Sequence, residues 1–447
     1  MGYNFESAWH CRPRRGVSIT LPKLSSDAPG PFPRAVAVPD LTNQGGIMMA
    51  ELNEAASALP NSGIREIAAL AARHAHAIRL DIGDPDFPTP AHVVDAAHTA
   101  ARSGRTHYLP SAGLPDLRAA LAEKIVARNG YRVDADQVVV TQGASQGIFA
   151  ALLAVTRPGD GVLLPDPAWP NYLTMARLLR LRPERYPLDA DAGFTPSVRR
   201  LEQLVTPETK VLLLNSPSNP TGAVVGRTRM RELLDFARDH GLWVISDECY
   251  DELTFDDTFT SAAAVAQDRV ISAYSFSKTY AMPGWRVGYL AVPADAAEVV
   301  SKCQESLLAC VSEPAQWAAL SALTGPQDQV AEMREAYRNR RDALLGVFGH
   351  TDSRPAVPAG AFYAWIDITA TGVDDREFAS RLLDRHGVAV APGSAFGPAG
   401  RGYLRLSLTT SEDRIVEGAK RLISFVDRES QVTTQSGGRT SGARSGW

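Results

Sequence analysis

The sequence predicts an α/β fold, with a large domain built on a mostly parallel sheet flanked by helices and a smaller α+β domain. The first observation behind this prediction is a series of continuous apolar runs that end in turn residues, a pattern typical of strands buried on both faces. The second is that helical segments alternate with those runs, which is typical of a parallel sheet. The third is the length of 447 residues, which suggests more than one domain.

The predicted elements of the large domain begin with a strand over Val138–Thr141 and a helix over Gly143–Val155. An amphipathic helix is predicted over 227–240. Further strands are predicted over 161–164, 211–214, 243–246, 270–274 and 287–292. The pattern of the smaller domain indicates a long helix over 327–348 and short strands over 361–365 and 403–406.

The domain boundaries follow from changes in composition. Residues 1–47 mix Pro, Gly, Ser and Arg without a helical or strand period, so a disordered extension is predicted there. Residues 429–447 are rich in Ser, Thr, Gly and Arg and are predicted to form a disordered tail. Between them, we assign 48–94 to an N-terminal arm and part of the smaller domain, 95–318 to the large domain, and 319–428 to the rest of the smaller domain.

The composition argues against several classes of partner. The net charge is −4 and the isoelectric point is about 6.2, so no basic surface is expected to attract nucleic acid. No apolar stretch is long enough to cross a bilayer and no signal pattern is visible, so we expect a cytoplasmic protein that does not bind membranes. The cysteines lack metal-type spacing, which predicts free thiols and no metal site. They are Cys11, Cys249, Cys303 and Cys310.

Lys278 is the residue that best indicates chemistry. It follows a predicted strand and lies among small hydroxyl residues in Ser275-Phe276-Ser277-Lys278-Thr279-Tyr280. A lysine held still and partly desolvated can act as a nucleophile near neutral pH. Because Ser275, Ser277 and Arg286 suit a phosphate, the group indicates pyridoxal phosphate held as a Schiff base. Considered alone, Lys278 is better interpreted as a surface lysine, since lysines are mostly exposed, and the neighbouring motifs are what favour the functional interpretation.

Other candidate residues follow other predicted strands, at the edge where open α/β sheets bind ligands. Asp247 could keep a pyridine nitrogen protonated, while Tyr250 and Asn219 could donate hydrogen bonds to the ring oxygen. Trp169 could stack on the ring, although a core tryptophan is the alternative. Taken singly, Asp247 could be a capping or surface residue, and Asn219 could belong to an ordinary Asn-Pro turn.

Two further motifs suit anionic groups. Gly143-Ala144-Ser145-Gln146 joins a predicted strand to a predicted helix, where backbone N–H groups and the helix dipole favour a phosphate. Arg405 alternates with apolar neighbours and could bind a substrate α-carboxylate through two parallel hydrogen bonds. An exposed arginine on an edge strand is the alternative for Arg405.

Together these motifs resemble the pyridoxal-phosphate aminotransferases of fold type I, class I/II, near the aspartate aminotransferase subgroup. The resemblance covers about residues 58 to 427. Its strongest motifs are Ser216-Pro217-Ser218-Asn219-Pro220-Thr221-Gly222, Ser246-Asp247-Glu248-Cys249-Tyr250, Ser275-Phe276-Ser277-Lys278 with Arg286, and Tyr403-Leu404-Arg405-Leu406-Ser407. It implies a seven-stranded sheet and a lysine at 278 that is both Schiff-base residue and proton shuttle. It also implies the roles considered above for Asp247, Tyr250, Asn219, Trp169 and Arg405.

The resemblance adds two residues and raises one doubt. Gly83 corresponds to a glycine whose loop contacts the substrate α-carboxylate. Tyr108 corresponds to a tyrosine that reaches the phosphate of the neighbouring subunit, which implies a homodimer with shared active sites. Some aspartate-specific members carry a lysine where this chain has Ser145, and that lysine contacts the distal carboxylate. Specificity for aspartate is therefore doubtful.

The function predicted from these residues is ping-pong transfer of an amino group between an L-amino acid and a 2-oxo acid. The first alternative is a pyridoxal-phosphate-dependent lyase of the same fold, for example one that catalyses β-elimination. The run Ser275–Lys278 also fits the S-x-x-K motif of penicillin-binding proteins and serine β-lactamases, but its companion motifs are not found. A transcription regulator with an aminotransferase-like domain would need a helix-turn-helix module, for which residues 1–47 are too short.

Overall fold

A computed structural model describes residues 52–59, 63–256, 259–349, 351 and 353–437. The extension predicted over 1–47 lies outside these residues. The strands of the described part are β1 (Ile78–Leu80), β2 (Val138–Thr141), β3 (Gly161–Asp166), β4 (Arg182–Pro187), β5 (Thr209–Asn215), β6 (Trp243–Asp247), β7 (Val270–Ser275), β8 (Gly288–Ala291), β9 (Tyr363–Asp367), β10 (Val388–Pro392) and β11 (Tyr403–Ser407).

The helices of the same residues are numbered in chain order. They are α1 (Glu54–Ser57), α2 (Gly63–Ala71), α3 (Ala91–Arg102), α4 (Pro115–Lys124), α5 (Gly143–Val155), α6 (Asn171–Leu178), α7 (Val198–Glu202), α8 (Arg227–Asp239), α9 (Phe276–Thr279), α10 (Ala294–Leu308), α11 (Glu313–Thr324), α12 (Asp328–Phe348), α13 (Asp375–His386) and α14 (Glu412–Gly437). A π-helical turn, Ile125–Asn129, continues α4.

The larger sheet has seven strands in the order β2-β8-β7-β6-β5-β3-β4. Strands β7, β6, β5, β3 and β4 are parallel neighbours, and β8 is antiparallel to both β7 and β2. The predicted α/β fold with a mostly parallel seven-stranded sheet is therefore confirmed. The central strands are apolar because both of their faces are covered: in β5, Val211 and Leu213 pack into one hydrophobic cluster, while Leu212 and Leu214 pack into another.

The direction of these strands determines where a site can form. Strands β2, β3, β5, β6 and β7 all end at the same edge of the sheet, because β8 alone runs in the opposite direction between β2 and β7. The ends are also level with one another, since Asn215 pairs with Asp247 and Asp247 pairs with Ala273. Loops that leave this edge bring residues from distant parts of the sequence together.

The smaller sheet has four strands in the order β1-β10-β11-β9. Strand β1 is parallel to β10, and β11 is antiparallel to both of its neighbours. Leu404 and Leu406 of β11 are buried in a cluster with Phe362, while Arg405 between them faces the opposite side of the strand. The predicted smaller α+β unit is thus present, and both sheets belong to one unit that begins at Leu52.

The structure corrects the predicted C-terminal tail. Helix α14 continues to Gly437, well beyond the predicted start of disorder at residue 429. The physical reason lies at that junction, where the Glu429 carboxylate accepts a hydrogen bond of 3.2 Å from Arg381 and lies 3.8 Å from Arg385. These contacts join α14 to α13 at the residue where the Ser and Thr composition predicted that the tail begins. The other domain boundaries stay predictions.

Candidate active site

A cavity of about 290 Å³ lies at the carboxyl edge of the larger sheet. It brings together most of the residues that the sequence singles out. The predicted residues that line it are Gly83, Ala144, Ser145, Trp169, Asn219, Asp247, Tyr250, Ser275, Ser277, Lys278, Arg286 and Arg405. Because they come from the ends of β2, β3, β5, β6 and β7, from β11 and from the segment after β1, the cavity depends on both sheets.

Lys278 lies on the short helix α9, directly after β7. Its Nζ atom donates a hydrogen bond of 2.7 Å to the carbonyl oxygen of Gly83, which fixes the amine at the cavity wall. Burial lowers the pKa of the Lys278 amine to about 8, with the Arg405 and Arg286 guanidinium groups acting in the same direction and Asp84 opposing them. The amine can therefore lose its proton near neutral pH, which is required of a nucleophile or a general base.

Asp247 is the last residue of β6 and is buried. Its Oδ2 atom accepts a short hydrogen bond from the Tyr172 hydroxyl, and its Oδ1 atom accepts one of 3.1 Å from the Cys249 backbone N–H. Burial raises the pKa of the Asp247 carboxyl, and these two hydrogen bonds oppose that shift. A buried carboxylate without a cationic partner in the described structure is a site for a positively charged or protonated group of a ligand.

Arg405 projects from β11 into the cavity and is buried. Its Nη1 atom donates to Asn219 Oδ1 at 3.1 Å, and its Nη2 atom donates to the Asp81 carbonyl oxygen at 2.6 Å. The rings of Tyr363 and Phe396 lie 4.4 and 4.8 Å from the guanidinium carbon. Arg405 Nε is buried and lacks a hydrogen-bond partner among the described residues, so the guanidinium can still accept an anionic ligand.

Tyr250 and Gly83 both lie close to the hydroxyl of a second tyrosine, Tyr363. The Tyr250 and Tyr363 hydroxyls lie 3.0 Å apart, and burial raises the pKa of Tyr250 well above its usual range. A Cβ atom at Gly83 would lie 1.9 Å from Tyr363 Oη, so only glycine allows this approach of the backbone. The absence of a side chain at Gly83 therefore lets the Lys278 amine, the Tyr363 hydroxyl and the backbone share one wall.

A cradle of small residues lies between β2 and α5. Gly143 has a φ of +71°, and a Cβ there would lie 2.6 Å from Arg286 Nη2. Ser275 caps α9 by accepting a hydrogen bond of 3.1 Å from the Ser277 N–H. Arg286 donates to the Pro283 carbonyl oxygen at 2.9 Å and remains exposed. The N-terminus of α5, two serine hydroxyls and a guanidinium can together hold a phosphate, so these residues fit the phosphorylated cofactor that the sequence implies.

Three predicted residues are not among those that line this cavity. Gly143 supports it from behind, next to Arg286. Gln146 instead accepts a hydrogen bond of 3.1 Å from the Gln142 N–H through its Oε1 atom. Tyr108 is 88% exposed and lines a separate surface cavity with His107, Cys310 and Glu313. Within one chain, therefore, Tyr108 is not brought to the other candidate residues.

The sequence analysis missed four lining residues that carry a hydroxyl, amide or thiol group. They are Tyr172, Asn215, Cys249 and Tyr363. Asn215 orients Asn219, because its Oδ1 atom accepts a hydrogen bond of 2.9 Å from the Asn219 N–H. The usable signal for Tyr172 was its place beside Trp169 after β3, since the two rings pack edge to face with centroids 5.3 Å apart. Tyr363 gave no such signal, since it lies within an apolar run.

No cluster of three or more potential metal ligands occurs among the residues that the structure describes. Within that same part of the chain, no helix has the length and apolar character needed to cross a membrane.

The strand order of the larger sheet is typical of an α/β enzyme. The cavity at its carboxyl edge holds a lysine, a carboxylate and two arginines, which suits small anionic molecules. The family model for aminotransferase class I and II matches residues 75–422. The chain belongs to the class I and II aminotransferase family. It is therefore an aminotransferase, and the alternative of a lyase is not favoured.

Similar proteins agree on the reaction class. The chain is 38% identical to a probable aspartate/prephenate aminotransferase of Aquifex aeolicus, over 79% of this chain and 92% of the relative. It is 38% identical to an arginine–pyruvate transaminase of Pseudomonas aeruginosa, over 77% and 88%. The solved structure of Thermus thermophilus aspartate aminotransferase with maleate superposes with a TM-score of 0.81 at 35% identity, covering 84% of this chain and all of that one. These three proteins are named after different amino-acid substrates.

Proposed function

We propose that this aminotransferase binds pyridoxal phosphate in the cavity around Lys278 and uses it to exchange an amino group between an L-amino acid and a 2-oxo acid. The single observation that carries the proposal is the Lys278 amine, which is buried with a pKa of about 8 in the same cavity as Asp247 and Arg405. When bound, the cofactor supplies a conjugated ring that accommodates the electron pair released at the substrate Cα.

The residues of the chain have distinct tasks in this proposal. Arg405 binds the α-carboxylate of the substrate, which orients the Cα–H bond toward the Lys278 amine. Asp247 holds a proton on the pyridine nitrogen, and Tyr172 supports the carboxylate from behind. Lys278 removes the proton from Cα and returns it to the cofactor carbon, because an amine with a pKa near the working pH serves both steps.

The remaining contacts position the cofactor. Tyr250 and Asn219 donate hydrogen bonds to the ring oxygen, and Trp169 stacks on the ring. The backbone of Gly143, Ala144 and Ser145 at the start of α5 holds the phosphate, together with Ser275, Ser277 and Arg286. Gln146, in the same first turn of α5, supports this segment through its hydrogen bond to Gln142.

We also propose a cytoplasmic homodimer with shared active sites. Tyr108 is an exposed aromatic residue, and large exposed aromatic side chains are common at protein interfaces. In the dimer, Tyr108 of one chain reaches the phosphate held by the other. The free thiols of Cys249, Cys303 and Cys310 support a reducing compartment.

Replacement of Lys278 tests the assignment. Purified Lys278→Ala is expected to lose the visible absorbance of the covalently held cofactor and essentially all turnover, because among the described residues no other lysine lines the cavity. Lys302→Ala is the matched control, since Lys302 is an exposed lysine paired with Glu298. Transamination by Lys278→Ala at the rate of the unmodified protein would overturn the proposal.

A half-reaction separates transfer from elimination. With an amino donor alone, the holoenzyme is expected to release one equivalent of 2-oxo acid per active site and then stop. A lyase would instead release ammonia continuously. Sustained formation of ammonia would contradict the proposed transfer reaction.

A further inference from the structure

A second cavity lies next to the candidate active site and is larger, with a volume of about 450 Å³. Four arginines line it: Arg177 from α6, Arg185 from β4, Arg376 from α13 and Arg401 from the loop before β11. We call this cavity the arginine pocket. Its lining also includes the aromatic residues Trp169, Tyr172 and Phe396, so it combines cationic and apolar groups.

The positive charge of the arginine pocket is only partly neutralised. Arg185 lies 3.6 Å from the Asp166 carboxylate, and Arg376 lies 3.2 Å from that of Glu66. Arg177 and Arg401 form no ion pair with any residue in the described ranges. Four guanidinium groups against two carboxylates leave an excess of positive charge around a cavity, which favours an anion.

The two cavities are neighbours that share part of their lining. Trp169 and Tyr172 line both of them. Phe396 lines the arginine pocket with one face and packs 4.8 Å from the Arg405 guanidinium. For a substrate with its α-carboxylate on Arg405 and its Cα beside Lys278, the arginine pocket is therefore the neighbouring cavity on the far side of Trp169 and Tyr172.

The inner cavity offers no cation of its own for a second acidic group. Its cationic residues are Lys278, Arg286 and Arg405, to which the proposed function already gives the Cα proton, the phosphate and the α-carboxylate. Ser145 contributes only a hydroxyl at the cavity edge. A short acidic side chain would end there without a charged partner, whereas a longer one reaches the arginines.

We propose that the arginine pocket binds the distal acidic group of the substrate, a carboxylate or a phosphate, and that this enzyme prefers long acidic amino acids to aspartate. The inference rests on the proposed function, since it places the substrate by the roles of Lys278 and Arg405. Arg177 and Arg401 carry the recognition because their guanidinium groups are free of carboxylates within the described structure. Arg185 and Arg376 contribute less, since each already faces a carboxylate.

A series of amino donors tests the preference in the holoenzyme. The series comprises L-aspartate, L-glutamate, L-2-aminoadipate and L-2-aminopimelate, with the neutral L-2-aminohexanoate and L-2-aminoheptanoate as length-matched controls. We expect kcat/KM to rise along the acidic series and to exceed that of the neutral control of equal length by about tenfold or more, as for a charge-assisted hydrogen bond. A donor with a terminal phosphonate distinguishes phosphate from carboxylate recognition, and a preference for either acidic end supports the proposal.

Paired variants then locate the subsite. In the double variant Arg177→Ala/Arg401→Ala, kcat/KM for the longest acidic donor is expected to fall about tenfold or more, with the loss mainly in KM. The neutral donors should change by less than about twofold, in contrast to a general structural defect. Arg182→Ala is the matched control, because Arg182 is an exposed arginine on the same strand as Arg185 but outside the pocket.

Two outcomes separate failure of this inference from failure of the proposed function. If neutral and acidic donors react equally well, or the double variant loses activity equally toward both, the arginine pocket is not the subsite, although the aminotransferase assignment stands. If no donor reacts, calorimetry with suberate, a long dicarboxylate without an amino group, still reports on the pocket. Suberate binding that is weakened by the double variant and not by Arg182→Ala supports the inference, and absence of suberate binding overturns it.

Discussion

Lys278 is buried, and its protonated amine carries a positive charge. Burying that charge is expected to lower the free energy of unfolding, which can be measured. The amine is held at the cavity wall by a hydrogen bond to the Gly83 carbonyl, yet burial lowers its pKa from 10.5 to about 8. Below this pH the folded protein must bury a cation, whereas the unfolded chain keeps the same proton in water. Reactivity at neutral pH is thus obtained at some expense of folding free energy.

The first prediction concerns this cost. Because the pKa is lowered on folding, the unfolded chain binds more protons between pH 8 and pH 10.5, and the penalty is complete below pH 8. Lys278→Met should therefore raise the free energy of unfolding of the cofactor-free protein at pH 7 by at most about 3 kcal/mol. Urea unfolding at several pH values measures the difference, which should shrink as the pH rises toward 10.5. A difference independent of pH would contradict the account.

The second prediction concerns the short hydrogen bond from Tyr172 to Asp247. Removing the donor with Tyr172→Phe leaves the buried carboxylate less stabilised, so its pKa should rise further and the acidic limb of kcat/KM against pH should move to higher pH. Tyr186→Phe is the matched control, since its buried hydroxyl donates to the Leu213 carbonyl oxygen, within the large sheet. An unchanged acidic limb in Tyr172→Phe would mean that Tyr172 only fills space.

For single residues, the sequence predicts a functional role only where the neighbouring residues in the chain indicate it. Lys278, Asp247 and Asn219 follow apolar runs that end in turns, so their placement at a strand edge could be inferred. Tyr172 and Tyr363 contribute hydroxyl hydrogen bonds to the site, and an aromatic residue beside apolar neighbours is ordinarily interpreted as core. Their hydrogen bonds depend on partners from other elements, which no local pattern reveals.

Among elements, the segment after β1 lies close to β9, the strand at the far edge of the same sheet. The Gly83 backbone lies against the Tyr363 hydroxyl of β9, and that hydroxyl contacts Tyr250 in turn. This segment therefore joins β1, β9 and the loop after β6 at the cavity wall. A change in its backbone is expected to reach the Lys278 amine, which is hydrogen bonded to the same glycine.

The third prediction tests this junction. A Cβ atom at residue 83 would lie 1.9 Å from Tyr363 Oη and 2.8 Å from its ring carbon, so Gly83→Ala must displace the ring or the backbone. We expect a loss of about 1–3 kcal/mol in stability, as for other overpacked sites, together with a raised KM for amino acids. Gly346→Ala is the control, because its Cβ meets nothing within 4 Å and lies in a helix. Equal melting temperatures for the two variants would contradict the crowding.

Most elements of the larger sheet were predictable, because apolar runs of β-branched and leucine residues are distinctive. Strand β4 was not, since its sequence Arg182–Pro187 contains two prolines and several charged residues. Such a strand is tolerated because β4 pairs on one side only, with β3. Strands β1 and β10 were missed for another reason: each is short, and they pair with each other although they are distant in sequence, while β10 also pairs with β11.

At the scale of the whole molecule, the exposed Tyr108 bears on assembly. It lines a surface cavity with Cys310 and Glu313, away from the other candidate residues of its own chain. If the proposed homodimer forms, each active site combines residues of two chains, and the two protomers can complement each other's defects.

The fourth prediction uses this complementation. Lys278→Ala and Tyr108→Ala homodimers should each have low activity when the cofactor is limiting. Refolded together, they form hybrid dimers in which one site carries both changes and the other carries neither. About a quarter of the unmodified activity is expected from random pairing. Hybrids that are present by mass spectrometry yet remain inactive would exclude shared sites.

The predicted fold and the position of the site followed from one rule, that parallel strands end at the same edge of a sheet. This rule did not predict the arginine pocket. Its four arginines come from α6, β4, α13 and the loop before β11, and nothing in their local sequence distinguishes them from solvent-exposed arginines. Only the packing of Phe396 and Trp169 between them reveals a cavity.

The environment of Arg405 has a consequence for affinity. Its guanidinium is kept in one orientation by Asn219, by the Asp81 carbonyl and by two flanking rings before any ligand arrives. An arriving carboxylate consequently meets a receptor whose rotamer entropy was already lost when the chain folded. Less of the favourable electrostatic energy is then offset by the ordering of the side chain, so more of it contributes to the binding free energy. Even the smallest amino acids, which lack a side chain for further contacts, should therefore bind in the correct orientation.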